Sequence, residues 1–386
     1  MMALAMGAGL MTGAGAALVA GAGTAQVTGA GAAQAQMMDH DGGTMDPAKG
    51  KPGMQMQMQM HGPIRVMGRH LMPEGKVMLG YSLGMMRMEG LATGTTGLDP
   101  MIAATSVPNR FFGLPMQPPT LRVIPDEMET RMHMFGAMYG ASDKVTLMAM
   151  VPYLEKSMTA TTYAGPTGTT VLARNEMRAE GLGDITLGAL VVLYTQGRTS
   201  LHMGIGASLP TGSITKTGRM LSPMGTTPEM RMAYAMQLGS GTVDLTPSLT
   251  WASGKGRLNW GAQVSGVIRS GVNSAGYTLG DVAAVSAWAS YKPSPLISYS
   301  ARLEARSQGR IRGIDALIRG PMPGSDPANH GGDTVTAYLG ADLTPQRGAL
   351  KGHRIGLDIG LPVYQKVNGV QLRQDWSAMV AWRKAF

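Results

Sequence analysis

About twelve segments of roughly ten residues, each alternating apolar and polar side chains, run from residue 76 to the C-terminal Phe386. They lie near 76–89, 128–139, 144–156, 184–194, 199–210, 242–251, 257–269, 281–291, 296–307, 333–343, 353–364 and 371–386. Period-two alternation puts successive side chains on opposite faces of a strand. In one segment Leu258, Trp260, Ala262, Val264, Gly266 and Ile268 alternate with Asn259, Gly261, Gln263, Ser265 and Val267. In another Ile355, Leu357, Ile359 and Leu361 alternate with Arg354, Gly356, Asp358 and Gly360. The last places Trp376, Ala378, Val380, Trp382 and Phe386 on one face, interrupted only by Lys384. Strands of a soluble sandwich are usually about five or six residues long. Pro247 cannot donate to a ladder, so a bulge is expected there.

The connections alternate in length. Short ones fall at Gly140–Asp143, Thr195–Arg198, Ala252–Gly256 and Lys292–Pro295, with Thr344–Gly352 somewhat longer. Long ones fall at Leu91–Glu127, Ser157–Leu182, Thr211–Ser240 and Gly309–Gly332, and two more at that end, Ser270–Gly280 and Gln365–Val370, are shorter. Short turns at one end and long loops at the other are the asymmetry of an outer-membrane barrel. In hydrocarbon only a closed sheet pairs every backbone group. The fold class expected is therefore all-β, a transmembrane antiparallel β-barrel of about 12 strands, located in a bacterial outer membrane. Trp382 and Phe386 carry the terminal aromatic signature of such a barrel, which implies membrane lipid and the barrel-assembly machinery as partners.

Composition agrees. A mean hydropathy near zero fits strands that are half polar. The 386 residues contain no Cys, which rules out disulfides and zinc–thiolate sites. The net charge of +9 comes from scattered residues without a basic–aromatic stripe, so nucleic acid is not an expected partner. Residues 1–36 read as a cleaved signal peptide. Leu4–Ala22 is apolar, and Ala33-Gln34-Ala35 forms a small-x-small site, although no Lys or Arg precedes the apolar core. Residues 37–74 read as a flexible, Met-rich segment and 75–386 as the barrel.

Several stretches resemble a family of bacterial outer-membrane proteins labelled as transporters of the MetA-pathway of phenol degradation. They include Val66-Met-Gly-Arg-His70, Gly75-Lys-Val-Met-Leu-Gly-Tyr81, Asp143-Lys-Val-Thr-Leu-Met-Ala-Met-Val-Pro-Tyr153, Gly181-Leu-Gly-Asp184 and Ser208-Leu-Pro-Thr-Gly212. The resemblance runs from about residue 63 to 386 and is most distinctive before about 250. It implies passive passage of small, often aromatic, solutes.

Charged side chains facing lipid cost about 2–4 kcal/mol each at the midplane, so the alternation places the polar, mostly charged set inside. That set is Arg257, Gln263, Arg269, Arg302, Glu304, Arg306, Arg354, Asp358, Arg373 and Asp375, with Arg383. Its excess of positive charge favours anionic or neutral solutes. For any one of these residues, cross-linking the barrel interior is the commoner role.

Methionine is abundant, at 35 residues. Met78, Met86 and Met88 share one parity of the first strand, Met148 and Met150 one parity of the third, and Met132 and Met134 flank His133. Met54, Met56, Met58 and Met60 with His61 form a second tract. Thioether and imidazole donors suit soft Cu(I) or Ag(I), and Met is equally an adaptable apolar filler. Soft-metal binding is therefore the alternative function, and no other cofactor is implied. No Gly-x-Ser-x-Gly elbow, phosphate loop or dinucleotide fingerprint is present, so an enzyme is not expected.

Overall fold

The computed structural model describes residues 62–66 and 71–386. The signal-peptide reading of 1–36 and the metal reading of Met54, Met56, Met58, Met60 and His61 lie outside the described residues.

The wall begins with β1 (Val77–Gly94), β2 (Val123–Ser142) and β3 (Val145–Tyr163). Next come β4, in two pieces (Val171–Leu182 and Ile185–Gln196), β5 (Thr199–Leu209) and β6 (Asp244–Leu245 and Ser248–Lys255). The wall continues with β7 (Leu258–Arg269), β8 (Val282–Tyr291), β9 (Ile297–Gln308) and β10 (Gly332–Leu343). The final ribbon, His353–Ala385, spans 33 residues and folds back beside Gly369, whose φ of 62° a side chain would disfavour. Its halves, β11 (355–367) and β12 (370–385), are bridged where Gln365 Nε2 donates to the Gln374 carbonyl and Gln374 N–H donates back to Gln365 Oε1.

Each strand runs antiparallel to the one before it, and β12 pairs with β1 from Met78↔Ala385 to Thr93↔Val370. The sheet is therefore a closed antiparallel barrel, with eleven continuous strands in the ring. The doubled last strand gives twelve crossings of the wall, at the positions the alternation indicates. The Gly197-Arg198 and Gly256-Arg257 hairpins turn on glycines of positive φ, as tight hairpin turns require. β6 breaks at Thr246-Pro247, where the proline cannot join the ladder.

Parity holds around the ring. Leu249, Leu258, Val264, Ile268, Val285, Leu303, Leu339 and Leu357 are exposed on the outer surface, whereas Thr250, Asn259, Ser286, Ser300, Arg302 and Asp358 are buried inside. Tyr139, Tyr194, Tyr291, Tyr299 and Phe386 ring the outer surface near the short turns.

Two expectations change. The stretch 157–182 is not a loop: β3 and β4 continue as a hairpin, paired from Tyr153↔Leu182 to Tyr163↔Val171. Beyond Tyr81 and His133 the outer face of β1–β4 at this end carries Arg87, Glu127, Glu129, Arg131, Glu155, Glu176 and Arg178, so apolar alternation fades there although the strands persist. Part of the segment expected to be flexible is also ordered. Ile64 and Val66 are buried against the inside of the barrel, and Met72 N–H donates to Thr146 Oγ1 at 2.9 Å. Gly140 gives Pro73 room to cross the first hairpin, because a Cβ there would overlap the Pro73 carbonyl.

The long connections fold over and into their end of the barrel. Helix α1 (Pro100–Ser106) is capped by Asp99, whose carboxylate accepts from the Met101 and Ile102 N–H groups. Met232, Ala233, Met236, Leu238 and Met322 from the loops pack on Met128, Met158, Met177 and Leu372 of the wall. Arg122, fully buried, ties this cap together by donating to the carbonyls of Ala104, Ala164, Gly165, Thr167 and Gly168.

Candidate functional site: a lumen between a loop cap and an N-terminal segment

The lumen has two unlike walls. From β5 to β11 the inward positions are Ser, Thr, Asn, Arg and Asp with a few aromatics. Arg302 bonds Glu304 at 2.5 Å, and its guanidinium lies 3.8 Å from the centre of the Tyr338 ring. Gln263 donates to Thr250 Oγ1 at 2.8 Å. Arg354 holds Asp342 at 2.9 Å, and Arg269 holds the fully buried Asp244. Arg306, on the same face of β9, donates to Gln308 Oε1. Of the residues named from the sequence, Gln263, Arg269, Arg302, Glu304, Arg306, Arg354 and Asp358 therefore lie on the inner face.

Arg257, Arg373 and Asp375 do not. Arg257 occupies the Gly256-Arg257 turn and is exposed. Arg373 stands opposite Glu89 on the outer surface. The ladder between β1 and β12 slips between Arg87↔Trp376 and Met88↔Gln374, leaving Asp375 as an extra, exposed residue. One extra residue reverses the parity of everything before it. Trp382 and Phe386 face outward, with Trp382 Nε1 donating to His353 Nδ1 at 2.9 Å.

The opposite wall, β12 and β1–β4, is lined with thioethers. Met78, Met138 and Met148 form one cross-strand row, and Met88, Met128, Met158 and Met177 form another. Met132 and Met379 reach over Gly84. The outer positions of the same strands are Val77, Leu79, Tyr81, Leu83, Phe135, Tyr139 and Leu147.

The N-terminal segment lies inside the short-turn end. Arg65 Nε donates to Asp358 Oδ1 at 2.6 Å, with its guanidinium 5.1 Å from the Tyr338 ring centre. Arg354 donates to the Gly62 carbonyl at 2.6 Å and Arg383 to the Ile64 carbonyl at 2.5 Å. Ile64 nests over Gly356, where a Cβ would come within 2.4 Å of its Cγ2. Val66 packs with Ala252 and Trp288.

The loop cap folds over the other end. Lys156 Nζ, inward on β3, donates to the carbonyls of Ala235 and Gln237 at 2.8 and 2.5 Å. Asp184, at the break in β4, accepts from the Gly212 and Ser240 N–H groups at 2.9 and 2.7 Å. Arg231 and Asp315 pair at 2.8 Å and join two loops. Tyr234 stacks edge-on with Tyr277 and His330 at centroid distances of 4.8 and 5.4 Å. Burial pushes the Tyr277 phenol up to about 12 and the His330 imidazole down to about 4. Under the cap lies a cavity of about 510 Å³, bordered by Lys156, Asp184, Thr186, Tyr234, Gln237, Arg269 and His330. Of these, only Arg269 is apparent from strand alternation in the sequence. Lys156 could have been found from its shared parity with Leu154 and Met158.

Among the described residues no group of three or more His, Asp or Glu is placed to hold a metal ion. His133, on the outer surface, meets Tyr81 Oη at 2.8 Å and Glu155 at 3.5 Å.

The architecture is that of an outer-membrane β-barrel. No protein-family model matches the sequence, and no curated protein does either. Among solved structures the chain is similar to an outer membrane channel of Pseudomonas putida F1, with a TM-score of 0.51 and 11% identity over 82% of this chain and 97% of that one. It also matches the P. putida toluene transporter TodX, with a TM-score of 0.41 and 13% identity over 82% and 91%. The Ralstonia pickettii toluene transporter TbuX gives a TM-score of 0.43 and 12% identity over 82% and 90%. At these identities the likeness to the channel is one of fold.

Proposed function

We propose that the chain resides in a bacterial outer membrane and passes small solutes through its lumen without an energy source, with the loop cap and the N-terminal segment as gates. The observation that carries this reading is the cavity of about 510 Å³ between inward wall residues and the loop cap, inside a barrel wall whose outer band is apolar. A purely structural barrel has no need of an internal cavity bordered by Lys156, Asp184 and Arg269. The two inner walls suit a solute with an apolar body and a polar handle, such as a small aromatic alcohol or acid, because thioethers make favourable contacts with rings. Four lumen arginines are matched by Asp or Glu, whereas Arg306, Arg383 and Lys156 contact amide or carbonyl oxygens instead. That imbalance favours neutral and anionic solutes. Trp382 and Phe386 serve as the insertion signature read by the assembly machinery.

Swelling of liposomes containing the refolded protein tests this. Small aromatic acids should enter faster than cations of the same size. Equal exclusion of every solute, with the barrel folded, would remove the transport reading.

A further inference from the structure

Methionine is not spread evenly over the wall. In β1–β5 and β12 the inward positions hold Met78, Met86, Met88, Met128, Met132, Met134, Met138, Met148, Met150, Met158, Met177 and Met379. The outward positions of the same strands hold only Met85 and Met203. A chain that used Met as a generic apolar residue would show it on the lipid-type face too, where Leu, Val, Phe and Tyr stand instead. The segregation calls for a reason specific to sulfur on the inside.

The geometry points to a binding site for a soft monovalent cation, Cu(I) or Ag(I), on Met78, Met138 and Met148 with Met150 beside them. The three are direct cross-strand neighbours, Met78↔Met138 and Met138↔Met148. Facing residues in such a ladder sit about 4.5–5.5 Å apart. Each thioether ends a flexible arm, so three sulfurs can converge on one ion. Soft sulfur donors select Cu(I) over hard cations, and no carboxylate or imidazole borders the pocket to favour a hard or borderline ion. Gly80, Gly136 and Gly188 leave the backbone bare around the row. A cavity of about 100 Å³ remains there. Arg383 borders the same pocket as a fixed positive charge, but its guanidinium is turned to the Ile64 carbonyl. Val66 also lines the pocket, so the site sits beside the N-terminal gate. The inference requires the barrel wall and not the passage of organic solutes.

Ag(I), which is redox-inert, is the probe. The full chain in detergent is titrated with Ag(I) and, separately, Zn(II), and bound ion is measured by mass spectrometry of the washed protein. The wild type should retain Ag(I) and not Zn(II). The triple variant Met78→Leu, Met138→Leu, Met148→Leu keeps apolar volume and should lose one Ag(I) per chain while Met54, Met56, Met58 and Met60 are intact. Heat-modifiable migration confirms that the variant is a barrel, and the single variant Met138→Leu, expected to weaken the same site, serves if it is not. Undiminished Ag(I) in the triple variant, or Zn(II) binding that falls in parallel, overturns the site. Liposome swelling on the same variant is independent: unchanged solute entry with lost Ag(I) supports the site and leaves the transport reading standing.

Discussion

Removing Arg65 should unseat the N-terminal segment from the lumen. Arg65 makes a charge-assisted hydrogen bond to Asp358, which is 1% exposed, and stacks near Tyr338. A hydrogen bond to a charged group contributes about 1.5–3 kcal/mol. A cation–π contact adds roughly 0.5–1 kcal/mol. Arg65→Ala therefore weakens docking by about 2–4 kcal/mol, which raises the undocked population roughly 30- to 700-fold at about 1.4 kcal/mol per decade. The chain has no cysteine, so Val66→Cys supplies a single thiol at a position 2% exposed in the docked segment. Its maleimide reaction should be slow in the otherwise native chain and faster by that factor when Arg65→Ala is added. Gly356→Ala, which puts a Cβ into the space of Ile64 and against Asp342 Oδ1, should accelerate labelling by a route that leaves the Arg65–Asp358 pair intact. If neither change alters the rate, the segment is not held by these contacts and the gate reasoning fails.

Other consequences are open to measurement. Arg122→Ala leaves five carbonyls of the cap without their shared donor, so it should loosen the cap by at least about 3 kcal/mol and make the 164–170 turn sensitive to protease. Leu339→Arg, at an outward position 71% exposed, should lower membrane-folding stability by about 2–4 kcal/mol in urea titration from lipid vesicles, whereas Leu339→Ile should be nearly silent. His330 in the cap is kept neutral by burial, which outweighs the Gly324 carbonyl and Asp326, both favouring the charged ring. With the folded value near 4 and the ordinary one about 6.5, the contribution is complete above about pH 6.5 and is lost as pH falls toward 4. A spin label on Thr226→Cys, exposed in the same loop as Tyr234, whose ring stacks on His330, should therefore become more mobile across that window, and His330→Gln should flatten the response.

The wall was readable because lipid and lumen impose period two on every crossing, and Leu258–Ile268 or Ile355–Leu361 carry that period without interruption. Where no lipid faces the strand, the signal ends. The β3–β4 extension is charged outside and Met-lined inside, so its strands looked like a loop. The outward orientation of Arg373 could not be read from the sequence, because the extra residue Asp375 reverses parity and nothing in the local sequence marks it. The cap was invisible for a different reason. Ile214, Tyr234, Tyr277, Ile311 and Ile318 form a buried cluster through contacts between loops distant in sequence, and such residues have no common period. Ile64, Arg65 and Val66 likewise follow a low-complexity tract, and only the barrel interior reveals why an arginine sits between two apolar residues. The thioether wall was partly legible: Met78, Met86 and Met88 share a parity, but only strand pairing brings Met78, Met138 and Met148 into one row.

Single-channel conductance of the refolded chain in planar bilayers tests the central claim most directly, with Arg65→Ala measured beside it. A gated channel predicts brief, anion-preferring openings in the native chain and longer ones in Arg65→Ala. Silence in both, from protein shown to be folded and inserted, would contradict a lumen built for passage.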